Sequence, residues 1–255
     1  MTNKEMLCTA LKQSALELNC TVDDLTGGKS KAVISSTAEG ARKYLSLPFY
    51  CQLVSYGSGI VASVNEEIYA DAKAYIEKYA PEHCFETPNM LVLQSALERR
   101  GMSACFMAEY WLCDTNAIKP IDCGYELWLL TAENFAPLYT PQWSNALCEK
   151  RKELDVLGIG AYDGEKLVGL AGCSADCESM WQIGVDVLPE YRRRGIASAV
   201  TGRLAAEIMA RGKVPFYCCA WSNVASARNA IRAGFRPAWV ELTAKSAEYT
   251  ADMNK

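Results

Sequence analysis

The sequence predicts an α/β (α+β) protein with a mixed, mostly antiparallel sheet that is flanked by helices. Three observations predict this class. Residues 155–176 form two apolar runs around Asp163-Gly164, a dipeptide typical of hairpin turns. Residues 180–244 then alternate between strand-like and helix-like patterns, which favours parallel pairing late in the chain. Finally, the 255 residues are 50% hydrophobic, which is enough for one large core or two small ones.

The first half of the chain combines helical patterns with an early hairpin. Apolar residues at helical spacing predict a helix over residues 4–18. Residues 48–64 predict two strands around a Gly-Ser-Gly turn, and Asn65 can cap the helix that follows and stops before Pro81. The remaining predictions in this half are a polar connector at 20–36, a short helix at 38–45, a helix at 89–100 that ends at Gly101, and a strand at 102–114.

The second half of the chain has clearer periodicity. After the linker-like residues 116–124 we predict, in order, a strand at 125–130, short helices at 131–153, the hairpin, a strand at 179–189, a helix at 195–212, a strand at 214–221, a helix at 224–234 and a strand at 235–244. The linker places a boundary near residue 120. It separates an additional N-terminal α/β region, residues 1–120, from a second domain, residues 121–255.

Composition excludes several classes of function. The formal net charge is −4 and no broad basic field exists, so we expect no nucleic-acid partner. No apolar run approaches the roughly 20 residues that span a bilayer, so we expect a cytoplasmic protein without a membrane partner. The 12 cysteines include no C-x-x-C pair, and His83 is the single histidine, so we expect reduced thiols and no metal site.

Three consecutive arginines, Arg192 to Arg194, stand directly before the predicted helix that begins near Gly195. The N-terminus of a helix carries partial positive charge, so cations there are unfavourable unless an anion lies between them. A strand, a glycine-containing loop and a helix in succession are typical of phosphate binding, because the first helical N–H groups have no partner within the helix. The alternative is that the arginines are simply solvated.

Two segments resemble the GNAT acyltransferase superfamily. "VDVLPEYRRRGIASA" resembles its acetyl-CoA loop, whose pattern is Arg or Gln, two residues, Gly, one residue, then Gly or Ala; Arg192, Gly195 and Ala197 occupy those places. "SNVASARNAIRAGF" resembles a later helix of the family, with Asn223 and the pair Gly234-Phe235 in register. The order of elements over residues 123–244 also agrees, so the resemblance covers the C-terminal half.

The resemblance implies that residues 121–255 form a GNAT-like catalytic domain that takes acetyl-CoA as co-substrate and needs no metal. The strand "QIGVDV" would splay from "FYCCAW", and the pantetheine arm would lie in that opening while the loop holds the pyrophosphate. The residues that would bind acetyl-CoA are Val185, Val187, Arg192, Arg193, Arg194, Gly195, Ile196, Ala197, Ser198, Asn223 and Ser226. The implied reaction is direct attack by a primary amine of a small molecule, with a protein amine as the second choice.

The sequence departs from the family at the catalytic positions. Ala230 stands where many relatives have the acidic tyrosine, and Cys218 stands where some have the basic glutamate. Substitutes for these groups are Glu178, Asp186, Tyr217 and Tyr249, and the sequence selects none of them.

These departures support a rival hypothesis, a non-catalytic acyl-CoA-binding sensor or partner-binding module. The role of residues 1–120 is also open. They could form a lid, an oligomer interface such as that of a homodimer, or a companion region that helps to build the acceptor site, which we favour.

Overall fold

The computed structural model describes residues 1–255. In chain order the helices are α1 (Asn3–Leu18), α2 (Val22–Thr26), α3 (Tyr69–Lys78), α4 (Thr87–Glu98), α5 (Ile196–Ala210), α6 (Val224–Arg232) and α7 (Ala247–Asp252). The strands are β1 (Lys31–Ile34), β2 (Cys51–Ser55), β3 (Val61–Val64), β4 (Met102–Cys113), β5 (Glu126–Thr131), β6 (Asp155–Asp163), β7 (Lys166–Ser174), β8 (Met180–Val187), β9 (Val214–Ala220) and β10 (Phe235–Ser246). None of the helices is long and apolar enough to cross a membrane.

The chain forms two compact units, each discontinuous in sequence. The first unit contains Met1–Thr9 and Trp111–Pro237, and the second contains Ala10–Tyr110 and Ala238–Lys255. A compact unit is defined by contacts and need not fold alone, so the division into domains near residue 120 stays a prediction.

In the first unit the strand order is β9-β8-β7-β6-β5. The predicted hairpin is confirmed as β6 and β7, and β8 continues it as a third antiparallel strand. β8 and β9 pair in parallel, as the strand-helix-strand pattern predicts. Helix α5 packs on this sheet, and its apolar stripe is buried. The mixed, mostly antiparallel sheet with flanking helices is thus confirmed, although short 3₁₀ turns replace the helices predicted at 131–153.

In the second unit the strand order is β1-β3-β2-β10-β4. The early hairpin is confirmed as β2 and β3, and the helix capped by Asn65 begins as a 3₁₀ turn that continues into α3. The strand β10 pairs with β2 in antiparallel orientation, so the parallel partner expected for the last strand is not found there. The core of this unit lies between these strands and helices α3 and α4.

Two predictions in the second unit were wrong. The helix predicted at 38–45 is absent, because Gly40 has a φ of +84° and Arg42 donates its backbone N–H to a side chain, Glu17, at 2.9 Å. Residues 20–36 are not only a connector, because they contain α2 and β1. The strand β1 forms because it pairs in parallel with β3, with Lys31 opposite Val61. These two residues are 30 positions apart, so the local sequence pattern cannot reveal the pairing.

Candidate functional site

A cleft of about 900 Å³ opens in the first unit where β8 and β9 separate. The two strands pair in parallel from Met180 with Val214 as far as Ile183 with Tyr217, and no further. Beyond Ile183, β8 still pairs with β7 as far as Val187. One edge of β8 therefore loses its partner over residues 184–187, as the expected splay requires.

The free edge of β8 presents backbone groups to this cleft. Leu188 donates its N–H to the carbonyl of Val168 at 3.0 Å, which is on the β7 side. Successive N–H groups of a strand point to opposite sides, so Val187 and Val185 direct theirs away from β7 and into the opening. The carbonyl of Val187 points the same way and accepts a hydrogen bond from Nε of Arg192 at 3.2 Å. The cleft wall thus offers donors to a ligand that carries amide groups.

The N-terminus of α5 lies at the floor of the cleft. Gly195 caps it with a φ of +82°, and Arg193 also has a positive φ of +64°, which is rare for a residue with a Cβ. The first intrahelical bond runs from the N–H of Ala199 to the carbonyl of Gly195 at 3.0 Å. The three preceding N–H groups therefore have no partner in the helix. They belong to cleft-lining residues, Ile196, Ala197 and Ser198.

The three consecutive arginines do not all face the cleft. Arg192 and Arg193 line it. Arg194 lies outside the lining, because its guanidinium donates to the hydroxyl of Tyr125 at 2.8 Å and to the carbonyl of Glu190 at 3.1 Å. Two cationic side chains therefore accompany the open helix N-terminus, where the sequence alone indicated three.

The start of α6 forms the opposite wall. Asn223 caps this helix, because its Oδ1 accepts a hydrogen bond from the N–H of Ser226 at 3.1 Å. The hydroxyl oxygens of Ser226 and Tyr217 are 2.7 Å apart, and all three residues line the cleft. Burial is the main cause that raises the pKa of Tyr217 above its ordinary value, so this hydroxyl keeps its proton at neutral pH.

The carboxylates proposed from sequence have different surroundings. Asp186 lines the cleft, but its oxygens accept hydrogen bonds from the backbone N–H of Asn145 at 2.8 Å, from Nδ2 of Asn145 at 2.6 Å and from the N–H of Ala146 at 2.9 Å. Glu178 is exposed, precedes β8 in the chain and does not line the cleft. Tyr249 lies on α7, in the second unit. Tyr217 is thus the predicted substitute that combines a cleft position with an available proton.

Two glycines explain how the loop around Asn145 reaches this site. A Cβ on Gly184 would overlap the carbonyl oxygen of Asn145, and a Cβ on Gly172 would overlap that of Ala146. The glycines therefore allow the loop to lie directly on β7 and β8, where Asp186 binds it. Sequence reasoning missed Asn145, because nothing local links it to a strand 40 residues later.

Three further cleft residues on α6, Arg228, Asn229 and Arg232, were also missed. The spacing of the two arginines could have indicated that they lie together, because residues four apart on a helix share one face.

A family model described as GNAT acetyltransferase matches residues 66–238, which is more than half of the chain. The match starts before residue 120 and includes the cleft-forming elements β8, α5, β9 and α6. None of the curated proteins matches the chain.

Solved structures similar to this chain include three bacterial proteins. An acetyltransferase from the GNAT family of Colwellia psychrerythraea is 18% identical, with 61% of this chain and 62% of that protein covered and a TM-score of 0.43. A GCN5-related N-acetyltransferase-like protein from Streptococcus suis is 17% identical (63% and 68% covered, TM-score 0.46), and a GCN5-related N-acetyltransferase from Sphaerobacter thermophilus is 16% identical (74% and 72% covered, TM-score 0.45). The chain spans less than two thirds of the length of the Colwellia protein.

Proposed function

The chain belongs to the GNAT acetyltransferase family, and from that premise we propose that it transfers an acetyl group from acetyl-CoA to a primary amine of a small molecule. The observation that carries this proposal is the separation of β8 from β9 directly beside the open N-terminus of α5. An opening between strands suits an extended arm, and a helix N-terminus suits a diphosphate.

The residues of the cleft fit CoA group by group. The outward N–H groups of Val185 and Val187 would bind the amides of the pantetheine arm. The free N–H groups of residues 196–198 would bind the diphosphate, with Arg192 and Arg193 adding positive charge and forked donors. Gly195 keeps the approach open, because its nearest neighbour across the space a Cβ would fill is Cβ of Cys123 at 3.9 Å.

In the proposed reaction a carbon–nitrogen bond forms as the carbon–sulfur bond of the thioester breaks, and the departing sulfur takes up a proton. When bound, acetyl-CoA supplies the activated acetyl group. Tyr217 lies at the last paired position before the strands separate, and its hydroxyl holds a proton at neutral pH. We assign Tyr217 the role of proton donor to sulfur. In many relatives a tyrosine at the position of Ala230 has this role.

The amine must lose a proton, because a lysine-type amine with a pKa near ~10.4 is mostly protonated at neutral pH. Asp186 is occupied by three hydrogen bonds that position the Asn145 loop, and Glu178 lies outside the cleft. We therefore propose that the proton leaves to water in the cleft. We also propose a reducing cytoplasmic setting, which is supported by 12 cysteines that include no C-x-x-C pair.

The first test is calorimetric titration with acetyl-CoA and CoA, followed by a panel of small amines with detection of free CoA thiol. We expect saturable binding and thiol release that depends on one class of amine. Binding without amine-dependent release would instead support the acyl-CoA-binding sensor, the rival hypothesis that Ala230 and Cys218 favour because neither can act as the usual acid or base.

The Gly195→Glu variant tests the placement of the diphosphate. It adds a negative charge and a side chain at the helix N-terminus, so we expect it to abolish acetyl-CoA binding. Gly212→Glu is the matched control, because Gly212 also has a positive φ and open space around a Cβ, but lies at the other end of α5. Undiminished acetyl-CoA affinity in Gly195→Glu would contradict the assignment.

A further inference from the structure

The arginines of this protein fall into two groups. Seven of the 12 lie within ion-pair distance of a carboxylate: Arg42, Arg99, Arg100, Arg151, Arg203, Arg211 and Arg236. The other five form no such pair, and four of them line the cleft: Arg192, Arg193, Arg228 and Arg232. Unbalanced positive charge is thus concentrated in one place, where the single lining carboxylate, Asp186, is already occupied.

Two of these four arginines do not belong to the loop before α5. Arg228 and Arg232 lie one turn apart on α6, so they share one face of that helix. Like charges at this spacing repel each other and destabilise a helix, and neither side chain has a carboxylate within ion-pair distance to offset this. An anion bound between them would remove the repulsion.

The position of this pair is fixed relative to the N-terminus of α5. Asn229, the neighbour of Arg228, accepts a hydrogen bond from the hydroxyl of Ser198 at 3.0 Å and donates one to the hydroxyl of Thr201 at 3.2 Å. Ser198 is the third residue of α5, one of those with a free N–H. Arg228 therefore stands beside the proposed diphosphate site, and Arg232 stands one turn farther along the wall.

We propose that Arg228 and Arg232 form a second anion subsite, which binds the 3′-phosphate of CoA. The inference rests on the acetyl-CoA-dependent function proposed above and adds a determinant of specificity to it. A phosphomonoester carries nearly two negative charges and accepts the forked donors of two guanidinium groups. In CoA a single ribose joins this phosphate to the diphosphate, so adjacent subsites match the ligand.

The test compares CoA with dephospho-CoA, which lacks only the 3′-phosphate. Calorimetry is done on the full-length protein and on the double variant Arg228→Gln/Arg232→Gln. The charge-matched control is Arg203→Gln/Arg211→Gln, which removes two arginines that pair with Glu207. The variant Arg228→Lys/Arg232→Lys keeps the positive charges but lacks the paired N–H donors of a guanidinium group. Circular dichroism tests whether each variant is folded.

We expect the unmodified protein to bind CoA roughly 10- to 100-fold tighter than dephospho-CoA, the range of one charged hydrogen bond. The Gln variant should lose this preference while its affinity for dephospho-CoA stays unchanged, the Lys variant should keep part of the preference, and the control should keep all of it.

Equal affinity of the unmodified protein for the two ligands would overturn the subsite and leave the proposed function standing. The same holds if the Gln variant weakens both ligands equally, because that result would indicate general electrostatic attraction. Failure of the unmodified protein to bind either ligand would overturn the proposed function and the subsite together.

Discussion

At the scale of single residues, Tyr217 carries the proton transfer that we propose. Its hydroxyl lies 2.7 Å from that of Ser226, and its ring packs against Phe235 with centroids 6.1 Å apart. Tyr217→Phe keeps the ring and removes the proton. We expect kcat to fall by about 100-fold or more, the usual contribution of a general acid, while the Kd for acetyl-CoA stays the same.

The matched control is Tyr191→Phe, which removes another hydroxyl from the same cleft, one that donates to Asp163 at 3.0 Å. The pH profile adds an independent readout. The proposed role requires protonated Tyr217, and burial raises its pKa, so activity should persist to high pH and fall only above the ordinary tyrosine range. An unchanged kcat in Tyr217→Phe would limit this residue to packing.

The positions of individual residues could be predicted from sequence where the geometry is local. Gly195, Ile196, Ala197 and Ser198 follow one another, and the geometry of a helix start places their N–H groups without distant help. Arg194 could not be assigned in this way, because its partner is Tyr125, 69 residues earlier. Tyr217 could be named from sequence only as one of four candidates, because its contact with Ser226 joins two different elements.

At the scale of elements, the start of α6 connects the cap of a helix to the proposed cofactor site. Asn223→Ala removes the hydrogen bond to the N–H of Ser226, so we expect a loss of about 1 kcal/mol in the free energy of unfolding. We also expect weaker acetyl-CoA binding, because the first two turns of α6 carry Ser226 and Arg228. Denaturant titration and calorimetry measure the two effects separately.

Asn223→Ser separates capping from ligand contact. Serine is also a good N-cap, so this variant should recover both stability and affinity. If stability returns but affinity does not, the amide of Asn223 binds the ligand itself, and the effect on affinity cannot come from fraying of α6.

Elements were predictable where pattern and turn chemistry agreed. The β6–β7 hairpin has both apolar runs and an Asp-Gly turn, and it is present. The helix predicted at 38–45 had suitable composition, yet the left-handed Gly40 interrupts it and the N–H of Arg42 goes to a carboxylate. A tertiary hydrogen bond outweighed local helix propensity there. Its acceptor, Glu17, lies 25 residues earlier, so the eight residues of this segment cannot predict it.

At the scale of the whole molecule, a buried ionic cluster joins distant parts of the chain. Nη2 of Arg42 lies 2.7 Å from Glu17 and 2.9 Å from Glu241, and all three side chains are at least 95% buried. Gln52 donates to Oε2 of Glu241 at 2.9 Å, and Trp239 donates at 2.7 Å to Oε1, the oxygen that Arg42 also contacts. Charged residues are normally exposed, so nothing in the sequence pattern predicts that these three lie in a core.

The stability of the protein should fall most when only one charge of this cluster is removed. Arg42→Met leaves two buried carboxylates without a counter-charge, so we expect the free energy of unfolding to fall by about 3–5 kcal/mol. The triple variant Arg42→Met/Glu17→Gln/Glu241→Gln removes the charges together, and we expect it to recover most of that loss. Urea denaturation followed by the fluorescence of Trp239 and its neighbours measures all three proteins. If the triple variant is no more stable than Arg42→Met, the cost comes from lost packing around the guanidinium, and buried charge is not what constrains this core.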